Sequence, residues 1–244
     1  MGTDPLGRAM LDYQRGGLCD DCRHVDGEDA WDAHVYENYF LPREEWVEVT
    51  FEVLETVEGA VLDVGCGAGQ HSLWLEEHGH DVVAADVSPG AVQAARERGV
   101  DDARMMDMFD LSFPSGRFRT ALLNGTQLGL AGSFAGVRQL LSDLAAVTDE
   151  SGVAVVDNYD PSALDPETFF GYRADPRRGV ARRGFHVEYH RRNDDGEIRR
   201  EVGRTLYFLL FGPDRLADAT VGTPWHLDEV LGGDPVYKAV LRKS

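Results

Sequence analysis

Val61-Leu62-Asp63-Val64-Gly65-Cys66-Gly67-Ala68-Gly69 is the stretch that decides the fold. The apolar run at 60–64 suits a strand buried on both faces of a parallel sheet. It turns directly into three glycines at alternate positions. Glycine is needed where a strand bends sharply into a helix, because it reaches positive φ without a Cβ penalty and lets a ligand approach the backbone. The next residues, His71-Ser72-Leu73-Trp74-Leu75-Glu76-Glu77-His78, place apolar side chains at helical spacing and stop before Gly79. Free N–H groups at that helix start favour an anionic or polar ligand group. Asp86 ends a second apolar run, Val82-Val83-Ala84-Ala85. Strand, glycine loop, helix and a second strand tipped by an acid read as a nucleoside-cofactor site on a doubly wound α/β sheet.

A dinucleotide loop reads G-x-G-x-x-G, its third glycine letting helix pack close to strand. Here the pattern is G-x-G-x-G followed by Gln70 and His71. The tighter spacing makes a rounder loop, suited to an amino-acid tail and a ribose rather than a pyrophosphate. Asp86 is placed to accept hydrogen bonds from two ribose hydroxyls. A nicotinamide oxidoreductase is disfavoured by the same spacing.

Together these residues resemble the class I S-adenosylmethionine-dependent methyltransferases. The first motif of that family is matched by residues 61–69, and its ribose-binding acid by Asp86 in Ala85-Asp86-Val87-Ser88. The acid near the adenine amino group is matched by Asp107 in Arg104-Met105-Met106-Asp107-Met108. The fourth strand is matched by Phe118-Arg119-Thr120-Ala121-Leu122-Leu123-Asn124. The resemblance is good over about residues 35–160 and looser beyond. It implies S-adenosyl-L-methionine as cofactor, held by Asp63, Gly65, Cys66, Gly67, Ala68, Gly69, Asp86, Val87, Asp107, Met108 and Asn124. It also implies a seven-stranded, mostly parallel sheet with an antiparallel last strand. In the family the N-terminal helix folds over the cofactor cleft, which would bring Tyr36, Tyr39 and Phe40 to its wall. A tyrosine face can stabilise a sulfonium cation by about 0.5–2 kcal/mol. Ordinary interhelix packing explains the same aromatics.

One departure bears on the acceptor. Nucleic-acid amino-methyltransferases follow an acid or asparagine here with two prolines and an aromatic, whereas this chain reads Asn124-Gly125-Thr126-Gln127. The ending is closer to small-molecule branches, so methyl transfer to a small molecule is the expected function. A non-catalytic S-adenosylmethionine-binding regulator is the alternative. On the acceptor side the candidates are Tyr36, Tyr39, Gln127, Tyr159 and Tyr172. A base is needed only if the acceptor must lose a proton. Asn124, Asp157, Tyr159, Tyr172, His186 and His190 lie at strand ends or on the following insertion, and no His–Asp spacing singles one out.

The core alternates strand and helix: strands at 60–64, 81–85, 103–106, 118–124 and 152–157, helices at 70–78, 89–98 and 134–147. Such alternation implies a parallel sheet. Residues 31–57 read as two helices divided by Pro42. Residues 1–30 are polar, glycine-rich and without clear periodicity, a tail or cap. The methyltransferase domain is then 31–244, with a cofactor core at 58–160 and an insertion at about 161–211. Within the insertion, Asn193-Asp194-Asp195-Gly196 is a strong turn, and 182–211 reads as an inserted β-hairpin. Arg177, Arg178, Arg182, Arg183, Arg191, Arg192, Arg199 and Arg200 concentrate there. They read either as a solvated face offsetting acids elsewhere or as a lid that attracts an anionic substrate. A short helix from Pro213 and a last hairpin, 225–231 with 236–241, complete the chain.

The 244 residues carry 43 acids against 24 bases, a net charge of -19. Lys238 and Lys243 are the only lysines. That charge repels nucleic acid and fits a surface adapted to high salt, a halophilic source. No apolar run reaches the ~20 residues of a membrane span, and the first residues lack a signal-peptide profile. The expected location is therefore cytoplasmic. Three cysteines are too few for a disulfide framework. Cys66 reads as a buried filler in the loop. Cys19, Cys22 and His24 have some ligand character, but no fourth ligand is near. No metal is therefore expected, and a metal- or redox-sensing role for the group is a minor alternative.

Overall fold

The computed structural model describes residues 3–17, 21–192 and 195–244. In chain order its elements are α1 (Pro5–Gln14), β1 (Cys22–Asp26), β2 (Asp29–Asp32), α2 (Val35–Tyr39), α3 (Glu48–Glu55), β3 (Val61–Val64), α4 (Gln70–Glu77), β4 (Val82–Asp86), α5 (Pro89–Arg98), β5 (Ala103–Met105), β6 (Phe118–Leu123), α6 (Phe134–Val147) and β7 (Thr148–Tyr159). There follow β8 (Tyr172–Ala174), β9 (Val180–Arg192), β10 (Ile198–Val202), β11 (Leu206–Phe211), α7 (Pro213–Thr220), β12 (Trp225–Gly232) and β13 (Val236–Lys243).

One sheet has seven strands in the order β12-β13-β7-β6-β3-β4-β5. β3 pairs in parallel with β4 and β6, β4 with β5, and β6 with β7. β13 runs antiparallel to both β7 and β12. Two reversals return β12 to the core direction, so β13 alone opposes it, as expected of the last strand. All four residues of β3 are buried because helices cover both faces. Val53, Leu54, Leu75, Leu122, Val155 and Val240 fill the face under α3 and α4. Leu62, Leu123, Leu140, Leu144, Phe211 and Trp225 fill the other, under α6 and α7. α5 starts where the sequence places it, with Pro89 at its first turn and Ser88 Oγ accepting the Ala91 N–H at 3.0 Å.

The second sheet departs from the sequence reading. The insertion is not a lone hairpin. β9, 13 residues long, is the spine of a six-stranded antiparallel sheet. Its C-terminal half pairs with β1 on one side and β10 on the other; its N-terminal half pairs with β11 and β8. The strand β1 comes from the segment that looked patternless. Its partner lies far away in the chain, with Cys22 opposite Tyr189, so no local periodicity reveals it. Of the turn read at 193–196, Asn193 and Asp194 fall outside the described residues, as does Cys19.

The N-terminal helices also differ. Residues 5–14 form α1, which buries Ala9, Met10 and Leu11. Trp31, expected on a helix, lies on β2 and packs on Phe170 with ring centroids 5.3 Å apart. Pro42 does divide the following segment, but α2 has only five residues, and Trp46 and Val47 are extended before α3. α1, α2 and the antiparallel sheet share one apolar cluster with Ala68 of the glycine loop and with Ala91 and Ala94 of α5. The second sheet is thus a cover placed on the glycine-loop side of the parallel sheet.

Candidate functional site

The glycine loop crosses the end of β4. Gly65 and Cys66 donate their N–H groups to Ala85 O at 2.8 and 3.2 Å. Gly65 and Gly67 have φ of 73° and 56°, in the region that favours glycine. A Cβ on Gly65 would lie 2.4 Å from Gln127 Cδ, and one on Gly67 would lie 2.8 Å from Tyr39 Cδ1. Both neighbours are side-chain ends on other segments, so Gln127 and Tyr39 pack directly on the bare backbone of the loop. Gly69 acts elsewhere. A Cβ there would lie 2.6 Å from Val100 Cγ2, so this glycine lets α4 and α5 pack closely. Cys66 is buried in a small cluster with Val92 and Ala95, the filler role read from sequence.

Two acids serve the loop. Asp86 Oδ2 accepts the Gly67 N–H at 3.0 Å, and Oδ1 accepts the Ser88 N–H at 2.8 Å. Burial pushes this carboxyl up and the backbone donors pull it down. Each oxygen keeps acceptor capacity beyond its backbone bond. Asp63 lies buried under the loop and accepts Ser72 Oγ at 2.6 Å. Burial pushes it up to about 6, against the Ser72 bond and with a contribution from nearby Asp86. Val87 is exposed beside Asp86. Asp107 is exposed after β5, where its Oδ1 accepts the Phe109 N–H at 3.0 Å, and Met108 packs half-buried against the core.

A third acid was not legible as a site residue. Asp4 caps α1, accepting Gly7 N–H at 3.2 Å, and also accepts Ser88 Oγ at 2.8 Å and Gly90 N–H at 2.9 Å. Gly7 and Gly90 allow this seat. A Cβ on Gly90 would lie 2.3 Å from the Gly7 carbonyl carbon. The N-terminal helix is therefore fastened to the residues just after Asp86.

At the ends of β6 and β7 the chain holds a polar group. Asp157 accepts the N–H groups of Gly125 and Thr126 at 3.0 and 2.6 Å. It thereby fixes the loop that carries Gln127, where Thr126 has a φ of 61°. Lys238 Nζ donates to Asn124 Oδ1. His71 is pushed down to about 3 by burial and by the cations Lys238 and Arg98, so it is neutral at pH 7. Thr50, His71, Asn124 and Lys238 line a cavity of about 10 Å³ with Leu54 and Leu122, room for one water. Lys238 and His71 were not singled out by the sequence; they meet only because β13 inserts beside β7.

The remaining candidates separate. Tyr39 is on the loop, and burial with Asp86 nearby pushes its phenol up. Tyr36 instead packs on Tyr13 at 6.0 Å. Tyr159 stands edge-on to Phe169 at 5.0 Å, and Tyr172 pairs with Arg183 across β8 and β9. His186 and His190 lie on the face of β9 opposite Phe185, Val187 and Tyr189. There they flank Glu188, with contacts of 3.0 and 3.6 Å. Arg200 and His186 hold Glu188 down to about 2. Cys22 is buried and its thiol is pushed up to about 12, chiefly by desolvation. His24 packs on Phe185, ring centroids 4.4 Å apart and tilted by 41°, and is pushed down to about 4 by burial and Arg183. Both are core groups of the covering sheet.

A family model described as a methyltransferase domain matches residues 61–152. Over 82 residues the chain is 35% identical to the 2-heptyl-1-hydroxyquinolin-4(1H)-one methyltransferase of Mycobacteroides abscessus, which covers 29% of this chain and 36% of that protein. An uncharacterized methyltransferase of Staphylococcus carnosus is 33% identical over 89 residues, covering 36% and 40%. The chain thus spans less than half the length of these two relatives. A solved methyltransferase from Bacteroides fragilis, in complex with S-adenosyl-L-homocysteine, shares the fold over 99% of this chain and 95% of its own, with a TM-score of 0.80 and 24% identity. Residues 61–152 thus carry a methyltransferase domain, and the chain shares the fold of a solved S-adenosylmethionine-dependent methyltransferase.

Proposed function

We propose that the protein binds S-adenosylmethionine across the loop 65–69 and transfers its methyl group to a small-molecule acceptor held beneath the antiparallel sheet. The observation that carries this reading is the pairing of a backbone stripped of side chains at Gly65 and Gly67 with Asp86, whose carboxylate anchors the loop and still has lone pairs to offer. When bound, the cofactor supplies a methyl carbon on a positively charged sulfur, so the carbon–sulfur pair leaves with a neutral thioether as a lone pair of the acceptor bonds to carbon.

The chain's own residues bind, orient and shield. Asp86 accepts ribose hydroxyls with its remaining lone pairs, bonds strengthened by its charge. Asp63, Cys66, Ala68 and Gly69 shape the loop from below, and Asn124, its amide oxygen held by Lys238, follows the end of β6. Val87, Asp107 and Met108 lie on the adenine side, after β4 and β5. Tyr39 presents a ring at Gly67 that suits a cationic sulfur. Positioning of this kind supplies several kcal/mol of a displacement barrier, up to ~7–11 in ideal cases. Gln127, Tyr159 and Tyr172 border the acceptor space. Asp157 is occupied by two backbone N–H groups and acts as a positioning residue for the Gln127 loop. His186 and His190 turn toward Glu188 and leave any proton acceptance to solvent. A net charge of -19 opposes a nucleic-acid acceptor.

Calorimetric titration of S-adenosylmethionine in molar KCl, with NADH as control, tests the reading. Micromolar binding of S-adenosylmethionine alone is the expected result. No binding to folded protein would overturn it.

A further inference from the structure

The arginines of the covering sheet divide into two kinds. Most are matched at the surface: Arg173 with Asp26 at 2.6 Å, Arg177 with Asp175 at 2.8 Å, Arg191 with Asp12 at 3.0 Å, and Arg200 with Glu188. These are the solvated offsets that a strongly acidic chain needs.

Arg183 is different. Its guanidinium lies over two rings, with Cζ 5.0 Å from the centroid of Phe169 and 4.8 Å from that of Phe185. Nε donates to the Phe170 carbonyl oxygen at 3.1 Å. The Tyr159 phenol interacts with it, and among the described residues no carboxylate is its partner. Arg183 is half-buried, and a partly buried charge without a counter-ion is costly. In a chain with 43 acids, such a cation paired with none of the described carboxylates needs another explanation.

Its place supplies one. Tyr159 ends β7, at the carboxyl edge of the parallel sheet, where open α/β sheets take their ligands. Phe169, Phe185, Tyr159 and Tyr172 belong to the same apolar cluster as Tyr39, whose ring meets Gly67. One aromatic-rich apolar cluster thus carries both the ring on Gly67 and the rings around Arg183.

We infer that Arg183 is the anchor for an acceptor bearing a carboxylate, whose apolar body lies along the aromatic surface toward Gly67. This rests on the methyl-transfer reading above. The planar fork of a guanidinium matches a carboxylate in two parallel bonds, with its terminal nitrogens as donors. A single guanidinium balances one negative charge, which favours a carboxylate over a phosphate dianion. The two rings and the Phe170 carbonyl oxygen hold the guanidinium in place before the ligand arrives. A carboxylate gripped this way is an anchor, and another atom of the acceptor takes the methyl group.

The test titrates benzoate, benzamide and phenyl phosphate into wild type, Arg183→Met and Arg183→Lys at fixed ionic strength, alongside a separate titration of S-adenosylhomocysteine. Wild type is expected to bind benzoate at least about tenfold more tightly than benzamide, the size of a charge-assisted bond. Arg183→Met abolishes that preference and Arg183→Lys keeps part of it. All three proteins bind S-adenosylhomocysteine alike, which shows that the variants are folded. Equal affinity for benzoate and benzamide in wild type, no benzoate binding at millimolar concentrations, or a preference that survives in Arg183→Met would overturn the assignment. Tighter binding of phenyl phosphate than of benzoate would overturn the carboxylate class. Failure of S-adenosylhomocysteine to bind wild type would instead overturn the methyl-transfer reading, because the benzoate preference is measured without it.

Discussion

The Asp86 carboxylate accepts the Gly67 N–H at 3.0 Å, so the acid that ends β4 fixes the shape of the loop that follows β3. Asp86→Ala therefore has two expected effects. Loss of charge-assisted bonds to ribose weakens S-adenosylmethionine binding by about 1.5–3 kcal/mol. Loss of the acceptor for Gly67 and Ser88 lowers the unfolding free energy by about 1–3 kcal/mol. Calorimetry and urea denaturation read the two separately. Unchanged affinity would remove Asp86 from the site.

Gly67 combines a φ of 56° with the Tyr39 ring 2.8 Å from where its Cβ would stand. Gly67→Val is expected to abolish cofactor binding while leaving the fold largely intact, because the added side chain meets the ring of Tyr39, a side-chain end, rather than backbone. The backbone strain of a side chain at this φ costs about 1–2 kcal/mol. Tyr39→Ala in the same chain relieves the contact but not the strain, and so should restore binding only in part. Full restoration would show that Tyr39, and not the backbone, forbids the side chain.

The parts of the site visible in sequence are those that neighbouring residues define. The strand, glycines and helix of 61–78 are contiguous, and Asp86 closes the next apolar run, so the loop and its acid needed no knowledge of distant pairing. Helix α5 was legible at residues 89–98, with Pro89 at its first turn. What escaped is what sheet order brings together. Lys238 reaches Asn124 because β13 inserts beside β7, and Asp4 reaches Ser88 because α1 folds back over α5. β1 looked patternless because its partner on β9 is distant, with Cys22 opposite Tyr189. Arg183 was visible only as one of eight clustered arginines. Its separation from them depends on Phe169 and Phe185, which flank it in space.

Asp63 gives the fold a pH signature. Its folded-state pKa is raised to about 6 by burial, against 3.8 for an ordinary aspartate. The folded protein holds this proton more tightly than the unfolded chain, so the contribution is complete below about pH 4 and is lost as pH rises through about 6. The loss is at most about 3 kcal/mol. Asp63→Asn does not titrate and should gain stability relative to wild type between pH 4 and pH 7 in urea denaturation. A difference between the two proteins that stays constant over that range would count against the assignment.

The net charge of -19 sets a salt dependence. Like charges on one surface oppose the compact state, and the Debye length falls to ~3 Å at 1 M salt. The melting temperature should therefore rise from 0.1 M to 3 M KCl. An unchanged melting temperature would remove the argument for a salt-adapted surface.

The seat of α1 on α5 predicts a coupling between the N-terminal helix and the cofactor loop. Gly7 and Gly90 meet backbone to backbone, and Asp4 ties Ser88 and Gly90, the residues just past Asp86. Gly90→Ala puts a methyl group 2.3 Å from the Gly7 carbonyl carbon, a contact that no side-chain rotation relieves. The helix must lift, and Met10, buried in the cluster that holds Ala68 and Tyr39, lifts with it. Asp4→Ala removes the cap and the tie without a clash, at a cost of about 0.5–2 kcal/mol. Both variants should weaken S-adenosylhomocysteine binding, Gly90→Ala more than Asp4→Ala, and both should speed proteolysis after residue 15. If cleavage accelerates while the affinity does not change, α1 is a fastening of the fold alone and takes no part in closing the cofactor cleft.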